Sequence, residues 1–243
     1  MALILNIETS TSVCSVSIGN GGKLTDFEEA EGQKTHASQL TVFIDKLLKR
    51  NRLKIQDFDA LAVSKGPGSY TGLRIGVSTV KGIAYAANLP VLAINTLDAM
   101  VSGFVKTALQ MKWETKNHII CPLLDARRME VYACMRDFQM NEIMETQAIV
   151  IDENTFSKLL QQKKIYFVGN ATEKVSTVLQ HKNAIFISDF LPSAKHLVGI
   201  SETAFMNKQF VDVAYFEPFY LKDFVATKPR DLLKKISKNN KTK

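Results

Sequence analysis

Residues 64–76 read SKGPGSYTGLRIG, four glycines and a proline directly after the apolar run FDALAV. A strand that breaks at a glycine turn and restarts as a helix is where many proteins hold phosphate, because the exposed amides and the dipole at a helix N-terminus favour anions. The specific fingerprints fail. A Walker A loop needs a glycine five residues after the first and then Lys-Ser/Thr; the residue five after Gly66 is Thr71, and no Gly-Lys-Ser/Thr follows. The dinucleotide pattern needs a glycine three after Gly68, where Thr71 again stands. Two readings stay open: a general anion site assisted by Arg74, or a tight strand-to-helix turn in which Gly66 and Gly68 permit unusual backbone angles and Pro67 fixes φ.

The helix that follows, from about Tyr70 to Ala87, is unusual in its glycines. Gly72 and Gly76 are four apart, and Thr79, Gly82 and Ala86 lie near the same side. Each interior glycine costs roughly 1 kcal/mol relative to alanine, a cost that close approach of another backbone would explain. Whether that backbone is the chain's own sheet or a partner is left open by the sequence.

Outward from this loop, LILNIE (3–8), VCSVSIG (13–19) and KLTDFEE read as an antiparallel three-strand meander. Leu40, Phe43, Ile44, Leu47 and Leu48 make the apolar stripe of a helix. FDALAV, the 70–87 helix ending at Asn88-Leu89-Pro90, and the strand VLAIN (91–95) complete a β-β-β-α-β-α-β order, with Thr96 expected to cap the next helix. The second half has a similar plan. HIICPLL and MEVYACM flank the turn DARR (125–128), then come EIMETQAIV, a helix over 152–163 begun by Asp152, IYFVGNA, ATEKVSTVLQ, AIFIS and a helix near 193–207. Strands alternating with helices after each meander imply mixed sheets.

Composition narrows the function classes. Apolar residues make up 46% and charged residues 23%, as in ordinary globular proteins. No run approaches a membrane span, and MALILNIETS lacks a basic n-region, so a cytoplasmic protein without a membrane role is expected. Cys14, Cys121 and Cys134 are expected as core residues. The four histidines form no i, i+4 pair, so no metal site is expected. Residues 228–243 hold seven Lys or Arg and one Asp, which accounts for six of the seven net positive charges. The body is nearly neutral, and RNA contact through the tail alone would be auxiliary.

Four segments, LILNIETSTSVCSVSIG, SKGPGSYTGLRIGVSTVKGIAYA, PVLAINTLDAM and LLDARRMEVYACM, closely resemble the TsaB (YeaZ-type) family of bacterial tRNA threonylcarbamoyladenosine synthesis. They cover most of residues 1–135 in order, and YFVGNA and FEPFYLKDF resemble family features beyond. The resemblance implies an α/β fold of two related mixed-sheet domains, of the acetate kinase, sugar kinase, Hsp70 and actin (ASKHA) type. The expected division is 1–97, 98–222 and a flexible basic tail, 223–243. It implies a non-catalytic partner of TsaD, which transfers threonylcarbamoyl from its adenylate to N6 of adenosine 37 in tRNAs reading codons that begin with A. TsaE, a small ATPase, and tRNA join through the complex, and a homodimer forms alone. No cofactor of the chain's own is implied; ATP and Mg act through TsaE and TsaD.

The resemblance also assigns residues. The helices at 36–50 and 70–87 are implied as the partner surface, with His36, Leu40, Phe43, Tyr70, Leu73, Arg74, Gly76, Thr79 and Ile83 as its contacts. Glu8 matches the position where superfamily members place a phosphate-side carboxylate. Asn6, Glu8, Gly66, Gly68, Asp125, Arg127 and Gly169 are the candidates for a degenerate nucleotide site or for cleft contacts. TsaD-type catalysis needs a His-x-x-x-His metal pair, which this sequence lacks. The alternatives are an active ATPase or small-molecule kinase on the same fold and a glycoprotease-like peptidase; for the latter, Ser69 has no identified base.

Overall fold

The computed structural model describes residues 1–32 and 35–222, so the basic segment 223–243 lies outside the described residues. The opening meander forms as β1 (Leu3–Glu8), β2 (Val13–Asn20) and β3 (Lys23–Glu31), all antiparallel. After α1 (Thr35–Asn51), β4 (Ala60–Gly66) adds parallel to β1, and after α2 (Tyr70–Ala87), β5 (Val91–Asn95) adds parallel to β4. α3 (Thr96–Gln110) then leads to a second sheet. There β6 (His118–Asp125), β7 (Glu130–Asp137) and β8 (Glu142–Val150) form another antiparallel meander. α4 (Ser157–Gln162) precedes β9 (Lys164–Val168), and α5 (Thr172–Ser176) precedes β10 (Ala184–Ile187). The chain closes with α6 (Ala194–Met206) and β11 (Phe210–Val211).

The spatial orders are β11-β5-β4-β1-β2-β3 and β10-β9-β6-β7-β8. Without β11 these are the same arrangement twice: a meander whose first strand carries two parallel additions. This is the expected pair of related ASKHA-type units.

Each face of the first sheet has its own core, because side chains alternate along a strand. Leu5, Ile7, Leu61 and Val63 pack with Leu40, Phe43, Leu47, Val77 and Val80 of α1 and α2. Ile4, Ala60, Ala62 and Leu92 pack with Ala99 of α3 and with Leu197 and Ala204 of α6. Met100 and Phe104, also on α3, pack instead on Ile120, Leu124 and Val168 of the second sheet. α3 is therefore the shared wall between the two sheets. Arg136 of β7, itself buried, ties the start of α3 to the second sheet through Asp98 at 3.0 Å and holds Glu142 at 2.9 Å.

Several expectations change. The unit 98–222 is not one body. α6 docks on the first sheet, with the Ala194 amide donating to Ser15 Oγ (2.8 Å) and Ser17 Oγ donating to the Ala194 carbonyl (2.8 Å), and β11 pairs with β5. Chain order misleads here because the last helix fills the open face of the first sheet. Thr96 does not cap α3: Asn95 does, its Oδ1 accepting from Leu97 N (2.8 Å) and Asp98 N (3.3 Å). The helix over 152–163 shrinks to Ser157–Gln162, since Asp152 spends its carboxylate on the preceding turn, accepting from Asn154 N and Thr155 Oγ1. The three cysteines are buried and free, and burial pushes the Cys134 thiol up to about 12.

Candidate functional site: the face of α2 and the cleft beside it

Ser69 caps α2 by accepting from Gly72 N (3.3 Å), and Asn88 ends it in the left-handed region, its amide donating to Ala84 O. Between them, the glycine row splits in two. A Cβ at Gly72 would collide with the Thr9 carbonyl oxygen, and one at Gly76 with Thr9 Oγ1. Thr9 sits in the β1–β2 turn and donates from Oγ1 to Gly72 O (2.8 Å). The first two glycines therefore admit the chain's own backbone. Gly82 differs: it is exposed, and among the described residues nothing lies within 4 Å of a Cβ built on it.

The implied partner residues divide in the same way. Leu40, Phe43 and Leu73 are 1%, 5% and 1% exposed and belong to the core, and Gly76 is sealed under Thr9. These four cannot form an outer contact surface; they hold α1 and α2 on the chain itself. Thr79 and Ile83 are half-buried. Arg74 is exposed but engaged: it lies 4.3 Å from the Tyr70 ring centroid, donates to Tyr70 Oη (2.8 Å), and reaches Tyr220 Oη at 3.4 Å. His36 is half-buried beside the cleft, and its Nε2 is buried without a hydrogen-bond partner among the described residues. The outward face consists of Thr71, Ser78, Gly82, Ala86 and Tyr85 on α2, with Ala37, Thr41 and Val42 on α1. Tyr85 is 88% exposed and Val42 46%. The complement of the apolar stripe would have pointed to these positions.

A cleft of about 980 Å³ opens between the two sheets beside the N-terminus of α2. Of the seven cleft candidates, Gly68, Asp125 and Arg127 line it. Asn6 does not: it is buried, donating to Ile4 O (3.2 Å) and accepting from Ser201 Oγ (2.7 Å) of α6. Glu8 does not either. It is fully buried, with Oε1 accepting from Ser10 N (2.6 Å) and Oε2 from Ser64 Oγ (2.5 Å). Burial pushes its carboxyl above the usual range, against those hydrogen bonds. Gly66 (φ +116°) and Gly169 (φ +120°) are backbone devices: the Phe219 carbonyl oxygen lies 2.6 Å from a Cβ at Gly66, and the Leu123 carbonyl would meet one at Gly169. Asn170, next to Gly169, is the residue that lines the cleft, and its Oδ1 accepts from Asp125 N (2.9 Å).

One feature of the cleft had little signal in the sequence. Residues 214–222 run along α2 and across the cleft mouth. Lys81 Nζ donates to Ala214 O (3.1 Å) and Phe216 O (3.0 Å), Phe219 N donates to Lys65 O (2.6 Å), Tyr220 stacks on Tyr70 at 4.3 Å, and Lys222 pairs with Glu130. The strap joins the glycine loop to the turn after β6. The segment FEPFYLKDF marks the place, but its partners are roughly 90 to 150 positions away and invisible to any local pattern. Among the described residues no group of three or more His, Cys, Asp and Glu could hold a metal ion, and no helix is long and apolar enough to cross a membrane.

Comparison with known proteins agrees with this geometry. The family model described as "TsaD: tRNA N6-adenosine threonylcarbamoyltransferase" matches residues 29–230. The tRNA threonylcarbamoyladenosine biosynthesis protein TsaB of Haemophilus influenzae is 30% identical over 236 residues, covering 93% of this chain and 95% of the relative. The protein of the same name from Escherichia coli is 29% identical over 231 residues, covering 93% and 96%. A solved structure from Pseudomonas aeruginosa, described as similar to peptidase YEAZ, superposes with a TM-score of 0.78 at 24% identity, covering 91% of this chain and all of that one, and supports the fold. The chain belongs to the TsaB family of tRNA threonylcarbamoyladenosine biosynthesis proteins.

Proposed function

We propose that the chain is the non-catalytic partner of a TsaD-type threonylcarbamoyltransferase and docks on it through the outward face of α1 and α2. The observation that carries this reading is Gly82. An exposed glycine in the middle of a helix, with open space where a side chain would be, costs stability that nothing among the described residues recovers. A partner backbone approaching that spot accounts for it, and Tyr85 and Val42 supply apolar area alongside. The same face serves a homodimer when the partner is absent.

The state of Glu8 supports the non-catalytic assignment. In an ATPase or kinase the carboxylate at this strand end must reach a metal or a water. Here both oxygens accept hydrogen bonds inside the protein and the group is sealed from the cleft. ATP and Mg act through the TsaE- and TsaD-type subunits, tRNA joins through the assembly, and the work is done in the cytoplasm.

Reconstitution tests the proposal. Unmodified tRNA, the threonylcarbamoyl adenylate, and TsaD- and TsaE-type subunits are combined with and without this chain. Product at adenosine 37 that requires the chain, together with no ATP hydrolysis by the chain alone, is the expected result. Phosphate release by the purified chain at rates typical of enzymes, on the order of 1 s⁻¹, would restore the kinase alternative.

A further inference from the structure

We propose that the turn carrying Arg127 and Arg128, at the rim of the cleft, is a binding surface for an RNA phosphodiester backbone. The inference rests on the reading of this chain as a subunit of a tRNA-modifying assembly and adds a surface to it.

The first observation is backbone geometry. Arg127 and Arg128 are consecutive and both lie in the left-handed region, at φ 72° and 50°. That region disfavours residues other than Gly, Asn and Asp. Asparagine and glycine adopt that region most easily; single residues of other types hold it elsewhere in the chain, as Arg52, Lys112 and Lys208 do, and what sets this turn apart is two non-glycine residues in a row. Arginine at both positions places two long cationic side chains outward at the cleft rim, where both are exposed.

The second observation is charge. The acidic neighbours of the two arginines are already engaged by lysines. Lys174 pairs with Asp125 and donates to the carbonyls of Arg128 (2.8 Å) and Glu130 (2.7 Å); Lys222 pairs with Glu130. Among the described residues neither guanidinium has an ion pair or hydrogen bond, so the turn is fixed by lysines and its arginines remain uncompensated. An unpaired guanidinium pair on a fixed turn suits phosphate oxygens, which it can bond bidentately.

The third observation identifies the anion as RNA. Lys222 is docked on this turn. The 21 residues that follow it in sequence hold seven Lys or Arg against two Asp. That charge in sequence favours a polyanion over a single phosphate. Tyr132 and Tyr220 line the same cleft. Aromatic faces beside cationic side chains are the arrangement on which unpaired bases stack.

The test measures binding of a labelled, unmodified tRNA transcript to the full chain, by fluorescence anisotropy between about 50 and 300 mM KCl. Arg127→Asn/Arg128→Asn removes both charges while asparagine tolerates the left-handed backbone. Lys164→Gln/Lys182→Gln removes the same charge elsewhere: Lys164 pairs in register with His118, at the far end of β6 from Asp125. The arginine variant is expected to bind about tenfold or more weakly near 0.1 M salt, with the slope of log K against log salt reduced by roughly 1.5, as two lost phosphate contacts require. The lysine variant is expected to match wild type. Equal loss in both variants, or none in the arginine variant, would overturn the proposal. So would loss of Mg-ATP binding with tRNA binding intact, which assigns the turn to a free nucleotide, or loss of the TsaD-type complex alone, read separately by light scattering, which assigns it to protein. Arginine-selective modification of the wild-type chain needs no variant: RNA should protect Arg127 and Arg128, and unchanged labelling of both counts against the surface.

Discussion

Gly72 and Gly76 lie on the inward side of α2 and Gly82 on its outward side, and they differ in what a methyl group would meet. At the first two it meets Thr9, once at a carbonyl and once at a hydroxyl; at the third, among the described residues, it meets nothing within 4 Å. The same helix thus carries glycine for two reasons. Its N-terminal half is pressed onto the β1–β2 turn, which lets the buried Glu8–Ser64–Ser10 set and Thr9 close over the strand ends. On the outward side of its C-terminal half, Gly82 is open among the described residues. A row of small residues that reads as one surface is therefore two, and spacing alone does not distinguish them.

The largest effect belongs to the inward side. Gly72→Ala is expected to destabilise the fold by about 3 kcal/mol, because the obstacle is a backbone carbonyl with little room to move. A lowered urea midpoint with an unchanged m-value is the readout, and a near-neutral result would break the comparison at its strongest point.

Glu8 gives a smaller, pH-dependent effect on the same side. Its folded carboxyl titrates above the ordinary value of 4.5, so the folded state holds the proton more tightly than the unfolded one. Stability from this group is therefore present below that value and is lost as pH rises through the folded one. Glu8→Gln removes that loss, and the variant should gain on wild type as pH rises above the ordinary carboxyl value in urea titrations. A difference that does not change with pH would mean that Glu8 is reached by solvent.

The outward side gives the smallest stability change, with the opposite sign. Gly82→Ala relieves the helix of its glycine and meets no neighbour among the described residues, so the isolated chain should gain up to about 1 kcal/mol. If thermal denaturation shows a loss instead, Gly82 belongs with Gly72 and Gly76, and the two-sided account of α2 fails.

Much of this was legible in the sequence. Both meanders, the bounds of α2 and the apolar stripe of α1 follow from alternation, capping and 3.6-residue periodicity. The doubled strand order follows from the similar plan of the two halves and from the family resemblance. Hidden parts depended on distant contacts. Nothing local to Thr9 shows that it will sit under Gly76, and nothing near Ser201 shows that it will hold Asn6. For the same reason chain order assigns α6 to the second half although it covers the first sheet, and the resemblance sets Leu40, Phe43, Leu73 and Gly76 outside although they face inward. Periodicity marks which residues share a side of a helix; it does not say whether that side meets the chain itself or another.

The most direct test of the central claim is light scattering of the chain mixed with its TsaD-type partner, comparing wild type, Gly82→Arg and Gly82→Ala. Thermal melts of each variant alone accompany it. Gly82→Arg is expected to keep the wild-type melting temperature within a few degrees and to lose the complex, while Gly82→Ala keeps both. A Gly82→Arg chain that is stable and still forms the complex would contradict the assignment of the outward face of α2 to the partner.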